Sequence, residues 1–499
     1  MNVPFATMAM VALVFAAVGW PAARLLARSR VGAWATLPAS TGIACSIAVA
    51  AAVLTGSSMV PWLATMAVLG WAGLALRRAT GHRWVPEHDP TGVTALVTAA
   101  VVAILPVILV DIPPVEADAR YMWWFHAAWY RHGGDVTAEA MSLPDFFFRR
   151  PAYPPLLPGV IATVWHLGGA FDREVALRVS QLFTGAAVAA AGFFTARTLR
   201  LGRRDTAIAA GFVAAACWGA NASVGLVGFV DLAWAALFVA AAVLLLAGPT
   251  DSRTMAIGTA FAAAAALVKF EGEVAALLLV VLVAVRAGRA WRRSVPVAAT
   301  VVAAIVGWRF VSAAAGAPPD QRGDWSKLPQ ILDTGTEAHR RFMDALDFLG
   351  GELGWLVGLA ALAIVVTLVV ARLGGRPLRQ PGAVPIMLLV AGYLTVVALT
   401  FAMATESLDA FLDAAARRVV LVARMLVVVD ALLVGVAAAR AVGHLEPVLA
   451  PTAGAGAGAD AGTGRAAVGG WWARQSSVGG AGGPGAGGSA WRRRQRGPR

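Results

Sequence analysis

Carboxylates and cations stand where long apolar stretches of this chain end, a placement suited to chemistry on a charged, amphiphilic molecule at a membrane surface. Pro114-Val-Glu-Ala-Asp118-Ala-Arg-Tyr121 follows one such stretch and precedes an aromatic segment. A carboxylate at Asp118 can act as a general base toward an incoming hydroxyl, and Glu116 is a second candidate; otherwise both are ordinary charges marking the end of a span. Lys269-Phe-Glu-Gly-Glu273 lies between two apolar segments, and Lys269 is one of two lysines in an arginine-rich chain. An ammonium at such a depth is costly unless it snorkels or meets an anion, so Lys269 either contacts a substrate phosphate or pairs with Glu271 or Glu273.

Arg417-Arg418 open the last apolar stretch. They form an anion clamp, since guanidinium presents a rigid donor fork that matches phosphate, or else they pair with Asp409 and Asp413. Arg424, deeper in the same stretch, points to a polar cavity inside the bundle. Asp231, after Gly228-Phe-Val, is either a wall of that site or a helix cap and arginine partner. Arg149 and Arg150 precede Tyr153-Pro-Pro-Leu-Leu-Pro158 and either steer an anionic substrate or pair with Asp145. His126 and His132 lack the carboxylate or cysteine spacing of a metal site, and Cys45 and Cys217 sit in apolar spans. No metal ligands and no cofactor are therefore assigned, although a divalent cation could help to hold a phosphate.

The elements that must position these groups are helices. Hydrophobic residues make up 59% of the 499 residues and charged ones 14%, far more apolar than a soluble protein needs. Apolar stretches near the roughly 20 residues that span hydrocarbon recur, while the short alternating strands of a barrel are absent. The hydropathy pattern predicts an all-α polytopic membrane protein with about thirteen spans: 7–27, 36–56, 60–76, 91–110, 174–196, 205–222, 225–247, 254–269, 273–286, 295–314, 353–371, 383–402 and 417–438. The first is expected to be a retained span rather than a cleaved signal, because no basic residue precedes it.

The formal charge of +13 does not indicate nucleic acid, because arginines cluster at every second span boundary, around positions 24–30, 77–83, 197–204, 253, 286–293 and 372–379. That alternation places the amino terminus outside, the carboxyl terminus in the cytoplasm, and residues 111–173, 315–352 and 403–416 on the extracytoplasmic side. Residues 154–169 are expected as an interfacial or re-entrant helix, since a full span there would reverse every later loop. Trp123, Trp124, Trp129 and Tyr130 are expected at headgroup level in the helix before it. Residues 1–440 form the membrane domain; residues 441–499, rich in Gly and Ala with a basic end, read as a disordered cytoplasmic tail able to touch anionic lipid.

The succession Asp118-Ala-Arg-Tyr-Met-Trp-Trp-Phe-His-Ala, Tyr153-Pro-Pro-Leu-Leu-Pro158, Gly228-Phe-Val-Asp231-Leu and Lys269-Phe-Glu-Gly272 resembles the ordered motifs of GT-C membrane glycosyltransferases. The resemblance is to the branch of protein O-mannosyltransferase-like and aminoarabinose-transferase-like enzymes, over roughly residues 90–440. It implies a GT-C-like bundle with amphipathic helices in the first long extracytoplasmic loop. It also implies a plasma or inner membrane location, a polyprenyl-phosphate-linked sugar as donor and an extracytoplasmic acceptor.

The same resemblance makes Asp118, with Glu116, the acceptor-activating acid. Lys269, Arg417, Arg418, Asp231, Arg149 and Tyr153 become the substrate-binding set. The family often carries two adjacent acids in that loop, whereas Ala117 separates them here. The expected reaction is an inverting single displacement: phosphate is already a stable leaving anion and needs electrostatic holding rather than a second protonating acid. The competing class is a multi-pass transporter or flippase for a lipid-linked or anionic solute.

Overall fold

The structure is a computed structural model that describes residues 3–27, 29–80, 89–109, 119–169, 171–220, 222–318, 325–373, 383–404 and 407–441. Glu116 and Asp118, and the expected tail after residue 441, lie outside these. Every regular element among the described residues is helical. In chain order the helices are α1 Ala6–Leu26, α2 Arg30–Thr55, α3 Met59–Ala79, α4 Pro90–Leu109, α5 Trp124–His132, α6 Gly134–Ser142, α7 Leu156–Gly168, α8 Arg173–Leu199 and α9 Arg203–Ala220. They continue with α10 Asp231–Ala247, α11 Ser252–Ala266, α12 Phe270–Ala287, α13 Val295–Ala314, α14 Glu337–Leu353, α15 Trp355–Leu373, α16 Ala383–Met403 and α17 Arg417–Arg440.

Among the described residues, eight helical stretches are long and apolar enough to cross a membrane, or nine if the bent pair α14–α15 is one span. This is the architecture of a polytopic membrane protein. A helix occupies each expected span, but not every one qualifies as a crossing. α9 opens on Arg203, Arg204 and Asp205, while α10 and α11 are short. The 45-residue stretch Phe270–Ala314 contains both α12 and α13. At 1.5 Å per residue an unbroken helix would run about 67 Å, over twice the hydrocarbon thickness, but regular helix is interrupted at Gly288–Ser294 and the two arms pack on each other.

The centre of the bundle is α10, whose side chains from Asp231 to Leu246 are buried throughout. A helix apolar on every side must be enclosed on every side. α8, α11, α12 and α17 enclose it, and α12 and α17 both meet α16. Outside this core α4, α8 and α9 pack together, and α1, α2 and α3 form a second group.

The aromatic residues of the first long loop are covered by protein. Trp123, Trp124, Trp129 and Tyr130 are buried, and α7 is buried from Leu156 to Trp165. The amphipathic ring systems find protein to pack on: Trp123 meets Tyr153 edge-on at 5.2 Å and Tyr130 meets Trp308 at 6.5 Å. Residues 154–169 supply α7, which packs against α2 and α5.

Arginines tie helix ends together at one end of the bundle. Arg77 donates to the Leu25 carbonyl at 3.1 Å, Arg197 pairs with Asp89 at 3.2 Å, Arg286 donates to Gly248 at 2.9 Å and Arg440 to Arg200 at 2.8 Å. Asp231, Lys269 and Arg418 stand at the opposite ends of α10, α12 and α17.

Close approach between α11 and α12 depends on Gly272, where a Cβ would come within 2.1 Å of the Ala265 carbonyl oxygen. Gly272→Ala should therefore cost about 1–3 kcal/mol through forced separation of the two helices. Gly358→Ala in α15, where an added Cβ meets nothing within 4 Å, should be neutral or slightly stabilising. Melting temperatures of the purified variants in one detergent check this, and equal shifts would remove the close-approach explanation.

Candidate functional site

The site is assembled from three places where regular helix stops. The first is the turn before α10, where Gly228 takes a φ of +93°, a conformation that side chains with a Cβ rarely adopt. A Cβ there would also stand 3.1 Å from Trp124 and 3.3 Å from Ala119, so this turn is held against the start of the first long loop. It delivers Phe229 and Asp231. The second is the gap between α11 and α12, where Lys269 is fully extended (φ −155°, ψ 155°). The Leu267 carbonyl in that gap accepts the Leu156 amide at 2.9 Å, anchoring it to the start of α7. The third is the interruption near the start of α17, between the short turn Arg417–Val419 and the regular helix from Leu421.

These breaks converge on one buried carboxylate. Lys269 Nζ donates to Asp231 Oδ1 at 2.7 Å and lies 3.6 Å from Glu271 Oε1. Arg418 Nη1 stands 3.9 Å from Asp231 Oδ2, and its guanidinium lies 4.7 Å over the Phe229 ring. Asp231 is 1% exposed and Lys269 6%, so neither charge has bulk water to solvate it. Taking such ions out of water costs several kcal/mol each, which mutual pairing must offset.

Above the cluster opens a cavity of about 280 Å³. Lys269, Glu271 and Arg418 form its polar floor; Met122, Trp123, Phe148, Arg150 and Tyr153 come from the first long loop; Tyr393, Val397 and Phe401 come from α16. Arg150 has a φ of +55°, a strained backbone setting for a residue with a side chain. An apolar-walled cavity that ammonium and guanidinium donors reach from Lys269, Arg418 and Arg150 suits an anion carrying an apolar group.

Of the substrate-binding residues expected from the sequence, Lys269, Arg418, Asp231 and Tyr153 are brought together. Two fall elsewhere. Arg149 spreads over the rings of Tyr121, Phe125 and Phe148 at 4.6, 5.1 and 4.0 Å, and its neighbour Arg150 is the one that lines the cavity. Arg417 is largely exposed and pairs with Glu352 at 3.4 Å. Arg424 meets the same Glu352 at 2.8 Å and donates to the Ala220 carbonyl at 3.3 Å, fastening the bend between α14 and α15 to α17. Glu273 pairs with Arg309 at 2.8 Å, so of the two acids offered to Lys269 only Glu271 reaches it.

Tyr393 was not legible as a site residue, though one of only four tyrosines lying inside an apolar span was an available signal. No group of three or more metal-ligating side chains occurs among the described residues. His126 is enclosed; its Nε2 meets the Arg149 carbonyl at 2.9 Å, fixing the loop from which Arg150 projects. Burial, with a smaller push from the Arg149 charge, brings its pKa down to about 4. Comparison with family models, with curated proteins and with solved structures finds no match to this chain.

Asp231→Asn should cost about 3–5 kcal/mol, because it replaces the negative partner of the buried Lys269 ammonium with a neutral amide and leaves Glu271, at 3.6 Å, as the negative charge beside it. Adding Lys269→Met should recover part of that loss, read as a melting temperature between those of the parent and the single variant. His126 gives a pH signature. Its folded pKa lies below the ordinary histidine value of about 6.5, so the unfolded chain takes up the proton first. Stability from this residue is full above that value and is lost as pH falls through the window from 6.5 toward 4. His126→Gln should flatten that part of the melting-temperature profile, and an unchanged slope would refute the assignment.

Proposed function

We propose that this protein is a membrane glycosyltransferase with a GT-C-like bundle of about thirteen helices, moving a sugar from a polyprenyl-phosphate donor to a hydroxyl acceptor on the extracytoplasmic side. The observation that carries the reading is the convergence of Lys269 and Arg418 on buried Asp231 beneath a cavity also lined by Arg150 and Tyr153. Four sequence-selected residues from separate parts of the chain meet there, at the ends of their helices away from the arginine-tied end. The resemblance of the ordered motifs to GT-C enzymes supplies the sugar chemistry, which an anion site alone would not specify.

In this reading Lys269 and Arg418 hold the donor phosphate, and Asp231 orients both cations and limits their mutual repulsion. Arg150 closes on the same anion from the loop side. The acceptor oxygen attacks the anomeric carbon while its proton passes to the Asp118 carboxylate. The bond from that carbon to the phosphate oxygen breaks, and lipid phosphate leaves with the electron pair, inverting the configuration. Cations already fixed where negative charge accumulates need no reorganisation during the step, which is where such sites gain most of their rate. Glu116 is the second candidate acid.

The test uses purified full-length protein in nanodiscs with polyprenyl-phosphate sugars and envelope acceptors, following release of polyprenyl phosphate. Arg418→Gln and Lys269→Met should lower turnover by about 100-fold or more. Asp118→Asn should abolish transfer while leaving donor binding intact. Full turnover in Asp118→Asn would remove it as the base. Movement of a lipid-linked or anionic solute across vesicles, without any sugar transfer, would establish the transporter reading instead.

A further inference from the structure

We infer that Tyr393 is the positioning residue for Arg418 and that its hydroxyl sets how tightly the cavity holds a phosphate, an inference resting on the cavity being the donor-phosphate site. Tyr393 lies in α16 and is 1% exposed. A phenol enclosed in an apolar span must find an acceptor, and this one donates to the Val419 carbonyl at 3.0 Å. Val419 is the last residue of the short helical turn that starts at Arg417, and regular helix resumes only at Leu421. Such an interruption deprives carbonyls of their usual partners one turn on, so a donor from another helix is needed within a bundle that excludes water. Tyr393 supplies that donor at the residue next to Arg418.

The consequence is geometric. Arg418 has a long side chain with several rotatable bonds, and holding it in one place costs entropy. Its tip is guided by Asp231 at 3.9 Å and by the Phe229 ring at 4.7 Å. Its root is held by the Tyr393 bond to the adjoining carbonyl. The Tyr393 ring also forms part of the cavity wall and lies 6.0 Å from the ring of Trp234, about one turn after Asp231 on α10. One side chain therefore registers α16 against both α10, which carries the carboxylate, and α17, which carries the guanidinium. Without the hydroxyl the ring can stay, but the break in α17 loses its tie and Arg418 samples more positions.

A double-variant cycle separates this role from simple packing, because Tyr393→Phe keeps the ring and removes only the donor. The probe is polyprenyl phosphate titrated into full-length protein in detergent, with melting temperatures taken alongside. Tyr393→Phe should weaken binding about 10-fold, and Arg418→Gln should weaken it at least as much. In the Arg418→Gln background, Tyr393→Phe should cause no further loss. Phe229→Leu acts at the tip of Arg418 without touching the helix break, and it too should be silent in that background. Wild-type affinity in Tyr393→Phe, or the same loss with and without Arg418, would overturn the positioning role. If the parent protein fails to bind polyprenyl phosphate while Tyr393→Phe melts normally, the phosphate site itself falls, and the inference with it.

Discussion

The contact between Lys269 and Asp231 organises this end of the molecule. Two opposite charges 2.7 Å apart, both shut off from water, are tolerable only if each remains beside the other. The elements carrying them are thereby fixed in mutual register: α10 begins at the carboxylate, and the α11–α12 gap carries the ammonium. Arg418 then has a defined anion to approach, and the first long loop has a defined floor to cover. Removing one partner would strand the other, so the pair constrains the fold more than its net contribution to stability would indicate.

Such a pair poses a problem of chemistry as well as of packing. A lysine satisfied only by aspartate would be electrically spent, with nothing left for a ligand. Here the Asp231 carboxylate lies between Lys269 and Arg418 and keeps the two cations close despite their repulsion, and Glu271 approaches Lys269 from a second side. In the reading we propose, a phosphate joins this set of charges without having to break it apart. The opposite ends of the same helices use arginine differently: Arg286 and Arg440 spend their donors on backbone carbonyls of neighbouring helices, which fastens the bundle where the cavity is absent.

Much of this was legible in the residues, for reasons that can be stated. Apolar runs locate helices because a backbone in hydrocarbon must satisfy itself, and a helix stands at each expected run. Lys269, Asp231 and Arg418 were visible because charges inside or beside such runs are costly and therefore rarely accidental. Which arginine of a neighbouring pair faces a cavity was not visible. Arg149 and Arg150 differ by a single residue, and only the left-handed backbone at Arg150 turns the latter toward the cavity while Arg149 settles on three rings. The packing of the aromatic cluster was equally hidden: Trp123 and Tyr130 have the amphipathic character of an interfacial belt, and composition alone does not tell that their rings are enclosed by Tyr153 and Trp308.

Helix length bears on where the candidate site stands in the bundle. α10 runs 17 residues and α11 runs 15, about 26 and 23 Å at 1.5 Å per residue, both short of a hydrocarbon layer about 30 Å thick. Their far ends are held at the arginine-tied end, where Arg286 grips Gly248. Asp231 and Lys269 therefore stand at the other end of these two helices from that tie. α16 and α17 are longer, at 21 and 24 residues, and Tyr393 and Val397 of α16 and Arg418 at the start of α17 line the cavity. In the reading we propose, the phosphate of a lipid-linked donor sits against Lys269 and Arg418 while its apolar chain lies along Met122, Val397 and Phe401, and the loop carrying Trp123, Arg150 and Tyr153 supplies the wall beside which the hydroxyl acceptor enters.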